Sequence, residues 1–167
     1  MPRDFAVINP GAGWDSKVWP WERYAEVACN LTLPSVVVWA GDKEQAWAEQ
    51  IVAHSTGQAH LAPRTSLPEL AALARRARLF IGGDTGPLHI AAAVGTPCVA
   101  VYGPTNPAVC GPWGEAHCVL QVGGEELGSA RKAAGKMSAA MLRVTAAELL
   151  AACQALLERA RSHRSAA

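Results

Sequence analysis

Four short stretches of this chain carry side chains able to hold an anion or a polyol. Asp84-Thr85-Gly86 stands immediately ahead of Pro87. Proline suits a first helical position, so the stretch offers a hydroxyl, unpaired backbone amides and the positive end of a helix dipole, which together suit a diphosphate. Asp84 itself repels phosphate, and its useful task is to accept hydrogen bonds from a sugar. His89 lies one helical turn beyond Gly86, on the face that can turn back toward such a ligand. Asn9-Pro10-Gly11-Ala12-Gly13-Trp14, with Lys17 just beyond, combines small residues that let the backbone approach an anion with a cation to meet it. Glu44 opens a helix behind the Gly41-Asp42 turn, where a carboxylate can accept from ribose hydroxyls or simply complement the helix dipole. Gly103-Pro104-Thr105 is the fourth stretch. No stretch completes G-x-G-x-x-G or a P-loop, which disfavours a dinucleotide dehydrogenase and a P-loop enzyme.

Each of these stretches follows a short apolar run, and helical patterns fill the intervals. Strands are expected at Phe5–Asn9, Ser35–Ala40, His60–Ala62, Leu79–Ile81, Cys98–Tyr102 and Cys118–Val122. Helices are expected over 21–31, 43–54 and 67–76, the last behind a Ser66/Glu69 capping box, then from Pro87 to Gly95, and finally behind Thr145. Gly123–Lys136 lacks periodicity and reads as a mobile loop. This alternation builds an α/β domain, a parallel sheet with helices on both faces, whose ligands gather at the carboxyl ends of the strands. One domain over 1–161 with a frayed tail over 162–167 accounts for the whole chain.

Composition narrows the partners. The 167 residues carry a net charge of +1 with 50% hydrophobic and 17% charged residues, which describes a folded body with no basic balance for nucleic acid. Arg75-Arg76-Arg78 and Arg159-Arg161-Arg164 read as solvated helix faces rather than a lipid-binding surface. No run suits a membrane span or signal peptide, and five cysteines without a C-x-x-C pair fit a reduced compartment and, for the most part, small core positions. Cys110, His117 and Cys118 lack a fourth ligand at zinc spacing, so no metal is expected.

Taken together, Asn9-Pro10-Gly11-Ala12, Lys17 with Trp19-Pro20, Gly41 and Glu44, Thr65-Ser66-Leu67, Ile81 to His89, Gly95-Thr96-Pro97 and Tyr102-Gly103-Pro104-Thr105 resemble the C-terminal domain of family 9 glycosyltransferases, the bacterial lipopolysaccharide heptosyltransferases. The resemblance covers nearly the whole chain. It departs from the family pattern at Pro63, where relatives commonly have glycine, and at Gly83, where they are frequently polar.

The resemblance implies one Rossmann-like half of a GT-B fold and inverting, metal-independent, cofactor-free transfer of a heptose-type sugar from an ADP-sugar to a lipopolysaccharide core acceptor. Lys17 and Asp84 would then be the catalytic pair. Gly11, Ala12, Gly13, Lys17, Glu44, Leu67, Asp84, Thr85, Gly86 and His89 would bind the donor, with Lys17 and the Thr85-Gly86 helix start on the diphosphate, Glu44 on the nucleoside and Asp84 on the sugar. It also implies a cytoplasmic protein, peripheral at the inner membrane, whose acceptor half and general base lie outside this chain. The partner would then be a separate acceptor-binding domain or a second copy. Trp14, Trp19, Trp21 and Trp113 are the expected apolar wall toward it. The alternative is a non-catalytic module that holds a nucleotide or nucleotide-sugar.

Overall fold

The computed structural model of the protein describes residues 4–122 and 137–165. Six strands form one sheet: β1 (Ala6–Asn9), β2 (Ser35–Val37), β3 (Ala59–Leu61), β4 (Leu79–Gly83), β5 (Cys98–Val101) and β6 (His117–Leu120). Every neighbouring pair is parallel, in the order β3-β2-β1-β4-β5-β6. The order reverses direction between β1 and β4, so the connections leaving these two adjacent strands run to opposite sides and open a crevice at their carboxyl ends.

Period-2 alternation assigns the strand side chains to two cores. Ala6, Ile8, Leu79, Ile81, Val99 and Val101 face α1 (Trp21–Asn30), α2 (Asp42–His54), α6 (Ala139–Arg143) and α7 (Ala146–Ser165). Phe5, Val7, Phe80, Cys98, Ala100 and Tyr102 face α3 (Leu67–Arg76) and α4 (Gly86–Ala93). The expected parallel α/β layering is therefore observed, and burial on both faces explains the near-continuous apolar strands. Ser66 and Glu69 form the anticipated capping box at α3. Thr145 and Glu148 form a second one at α7. Gly95, with φ of +82°, ends the segment behind α4.

Several expectations need correction. The β2 ladder stops at Val37 rather than Ala40, opposite Leu61 where β3 ends; Val38 N–H still reaches Ile8 O at 2.9 Å. Pairing with β5 prolongs β4 to Gly83 and sets β6 at His117–Leu120. A 3-10 turn at Asp15–Lys17 and two short helices, α5 (Pro107–Cys110) and α6, lie in stretches read as loop or left unassigned. α7 continues past Arg161 to Ser165. Only Cys98 and Cys153 are buried, while Cys29, Cys110 and Cys118 are half-buried. Trp19 is no cleft wall: it is 1% exposed, stands edge-on to Tyr24 with centroids 4.7 Å apart, and donates from Nε1 to Val144 O at 3.1 Å. Trp21 packs against the same core, whereas Trp14 and Trp113 are exposed as expected. The loop reading of Gly123–Lys136 lies outside the described residues.

Candidate functional site

The crevice between β1 and β4 is lined from both sides. Asn9 closes β1 and is 3% exposed, so its amide must find partners within the protein. Nδ2 donates to Thr85 Oγ1 at 3.3 Å and to Gly11 O at 3.5 Å, tying the two diverging loops together. Behind it the 3-10 turn, closed by Lys17 N–H to Trp14 O at 2.9 Å, aims Lys17 back across the switch point. Lys17 Nζ there donates to Asp84 Oδ2 at 2.6 Å, and the two side chains are only 15% and 10% exposed. His89, on the first turns of α4, brings Nε2 to 3.8 Å from the other carboxylate oxygen.

Thr85 holds the N-cap position of α4 in extended geometry without capping through its own side chain, and Pro87 occupies the first turn. The first-turn amides of Gly86 and Leu88 consequently have no intrahelical acceptor and remain available to an anion. On the opposite wall Glu44 accepts the Ala40 N–H at 2.8 Å through Oε2. Burial raises its carboxyl above the usual glutamate range, and the Ala40 amide offsets part of that rise. A side chain at position 11 would meet the end of this carboxylate, which would have to swing aside.

These walls enclose an open cleft of about 490 Å³, within the range of small-molecule sites. All ten expected donor-binding residues line it: Gly11, Ala12, Gly13, Lys17, Glu44, Leu67, Asp84, Thr85, Gly86 and His89. Asn9, Trp14 and Pro87, which belong to the stretches singled out in the sequence but were given no ligand-binding role, line it as well, as does Ala40. The bridging role of the Asn9 amide, as opposed to its place in the stretch, depends on Thr85 across the switch point. An adjoining cleft of about 310 Å³ shares the Trp14 and Glu44 wall and continues past Lys43 to Trp47.

One expectation is only partly met. Gly103-Pro104-Thr105 does not line the cleft; the chain after β5 approaches it through Cys110, whose Sγ lies 3.8 Å from Asp84 Oδ2. The β3–α3 connection supplies Leu67 instead, 67% exposed on the far wall. Among the described residues no three His, Cys, Asp or Glu side chains converge as metal ligands.

The model of glycosyltransferase family 9 (heptosyltransferase) matches residues 1–140. The chain belongs to this family. It is 33% identical over 119 residues to lipopolysaccharide heptosyltransferase 1 of Pseudomonas aeruginosa, covering 70% of this chain and 33% of that protein. It is 34% identical over 117 residues to lipopolysaccharide heptosyltransferase 3 of Escherichia coli, covering 66% and 34% respectively. The chain thus spans about a third of the length of these relatives.

Among solved structures, the family 9 glycosyltransferase from Veillonella parvula matches with a TM-score of 0.78 and 27% identity, over 93% of this chain and 46% of that one. The E. coli heptosyltransferase WaaC with ADP matches with a TM-score of 0.67 and 27% identity, over 77% and 41%. The E. coli ADP-heptose heptosyltransferase II, at 24% identity, shares the fold with a TM-score of 0.81 over 95% of this chain. The Rossmann-like parallel sheet with helices on both faces is therefore that of the GT-B heptosyltransferases. No helix among the described residues is long and apolar enough to cross a membrane.

Proposed function

We propose that this chain is the C-terminal, donor-binding half of an inverting, metal-independent glycosyltransferase that moves a heptose-type sugar from an ADP-sugar to a lipopolysaccharide core acceptor at the cytoplasmic side of the inner membrane. The supporting observation is the meeting, in one cleft at the β1/β4 switch point, of a cation, a free helix N-terminus and two carboxylates on opposite walls. A nucleoside diphosphate needs the first two, and the hydroxyls of its ribose and sugar need the last two. That related structures carry ADP or ADP-2-deoxy-2-fluoro heptose favours adenine as the base and heptose as the sugar.

In the transfer, an acceptor hydroxyl oxygen forms a bond to the anomeric carbon as the bond from that carbon to the diphosphate oxygen breaks. The hydroxyl proton goes to a base supplied by the acceptor half, and the electron pair leaves with the diphosphate. Lys17 and the α4 amides meet the growing negative charge with donors already in place, so little reorganisation accompanies the step. Asp84 loses its Lys17 contact in part and turns to the sugar hydroxyls; Glu44 takes the ribose.

Calorimetric titration of the chain with ADP, UDP, GDP and ADP-heptose tests the reading. The expected result is saturable binding of the adenine nucleotides in preference to UDP and GDP, with heptose adding affinity that Asp84→Ala removes. Equal binding of all three diphosphates, or none, would contradict it.

A further inference from the structure

The Asp84 carboxylate has another polar neighbour besides Lys17 and His89. Cys110 ends α5, and its Sγ lies 3.8 Å from Asp84 Oδ2, the same oxygen that Lys17 holds, and 3.1 Å from Asn106 O. One thiol hydrogen can serve only one of these acceptors at a time. With Lys17 already on Oδ2, the shorter contact to Asn106 O is the resting arrangement.

The turn that presents this thiol is fixed from several directions. The buried Tyr102 hydroxyl donates to Cys110 O at 2.7 Å. Asn106 caps α5 by accepting the Ala108 N–H at 2.9 Å, and Gly111 N–H closes it onto Pro107 O at 2.8 Å. A side chain at Gly111 would strike that same carbonyl. Gln121 Nε2 secures the preceding loop through Gly103 O at 2.8 Å and Thr105 O at 2.9 Å. Burial, then the neighbouring Asp84 charge, push the Cys110 thiol up, so it keeps its hydrogen at neutral pH.

We propose that Cys110 is a positioning residue for Asp84, its thiol acting as the reserve donor to Oδ2 when Lys17 is drawn onto the diphosphate. The proposal rests on the donor-site reading of the cleft. When Lys17 engages phosphate oxygens, Oδ2 loses a partner at a half-buried position. A rotation of the thiol hydrogen from Asn106 O to Oδ2 restores one without moving the backbone. Asp84 then keeps its aim toward the sugar through the step that takes its cation away.

The test compares ADP with ADP-heptose in calorimetric titrations of the chain and its Cys110→Ala and Cys110→Ser variants. Because only the sugar draws on the aim of Asp84, Cys110→Ala should weaken ADP-heptose about three- to tenfold, the scale of a weak donor on a charged acceptor, and weaken ADP less. Cys110→Ser, which keeps a donor, should restore the difference. Equal loss for both ligands, or no loss for either, would overturn the proposal, since a merely structural cysteine does not discriminate between them. If the alanine variant fails to fold, the serine and Cys110→Val variants give the same comparison.

Failure of the wild-type chain to bind either ligand would be failure of the donor-site reading. The contact is then tested without ligand, by mapping iodoacetamide modification of Cys110 against pH. Asp84, Lys17, Tyr102 and, across the carboxylate, His89 are the titratable or charged groups around it. Asp84→Asn should lower the pH midpoint of modification by about one unit, as expected for removal of an adjacent like charge. An unchanged midpoint would overturn the proposal.

Discussion

Lys17→Ala and Asp84→Asn should move ADP affinity in opposite directions, although the two side chains form one ion pair. Lys17 Nζ donates to Asp84 Oδ2 at 2.6 Å with side chains 15% and 10% exposed, so each sits where charge is only weakly screened. An ammonium group has three hydrogens, and phosphate oxygens compete with Asp84 for them. Deleting it removes a charge-assisted hydrogen bond worth about 1.5–3 kcal/mol, which weakens ADP by about 10- to 150-fold at 25 °C.

Asp84→Asn keeps the shape and removes a negative charge that, taken at roughly 6 Å from the diphosphate, repels it. Two like charges at that separation repel by about 3 kcal/mol at an effective dielectric of about 20, and by about 1 kcal/mol once water and salt in an open cleft are allowed for. ADP should therefore bind about fivefold tighter or better to Asp84→Asn, because Lys17 is also released to face the phosphate. Titration calorimetry at a single ionic strength reads both variants, with far-UV circular dichroism confirming that each is folded. Two variants that both weaken ADP, or both leave it unchanged, would refute the placement of the diphosphate on Lys17.

Gly11→Ala should weaken nucleotide binding about five- to tenfold, the scale of one lost hydrogen bond to the ribose, while leaving the melting temperature within a few degrees of wild type, since the new methyl displaces the Glu44 carboxylate and disturbs little else; a titration and a melt together check this. Glu44→Gln should raise the melting temperature at pH 7, because burial raises the native carboxyl and the charged form carries that burden only above its pKa. The advantage should shrink as the pH falls and the wild-type carboxyl takes up its proton, earlier than an ordinary glutamate would, and thermal melts at several pH values would show the trend. Trp19→Ala should cost about 3–5 kcal/mol in urea unfolding, for the loss of a fully buried aromatic and of its bond to Val144 O.

The parts of the site that depend on local chain chemistry were readable beforehand. Asp84-Thr85-Gly86-Pro87 declares a strand end and a helix start through the fixed φ of proline, and Ser66 with Glu69 declares another through a capping box. Strand burial follows from unbroken apolar runs such as Leu79-Phe80-Ile81.

The remainder depends on which strands become neighbours. Lys17 and Asp84 are 67 positions apart, and only the adjacency of β1 and β4 brings them together. Trp19 reads as a cleft wall because its partner carbonyl, at Val144, lies 125 positions away. Cys110 was hidden for a different reason: Asn106 and Pro107 start a helix inside a stretch so rich in proline and glycine that it scans as loop. The end of β2 at Val37 likewise coincides with the end of its neighbour β3 at Leu61 and not with the end of its own apolar run at Ala40.

On the donor-site reading, the crevice between β1 and β4 holds a nucleoside diphosphate. Backbone amide resonances of the isotope-labelled chain, followed by NMR during titration with ADP, test it most directly. The account predicts saturable shifts confined to Gly11–Lys17, Ala40–Glu44, the start of α3 at Leu67, and Asp84–His89, with the Gly86 and Leu88 amides moving furthest. Shifts centred elsewhere, for example on the cleft of Pro97, Glu115 and Arg159 at the amino edge of β5, would contradict it.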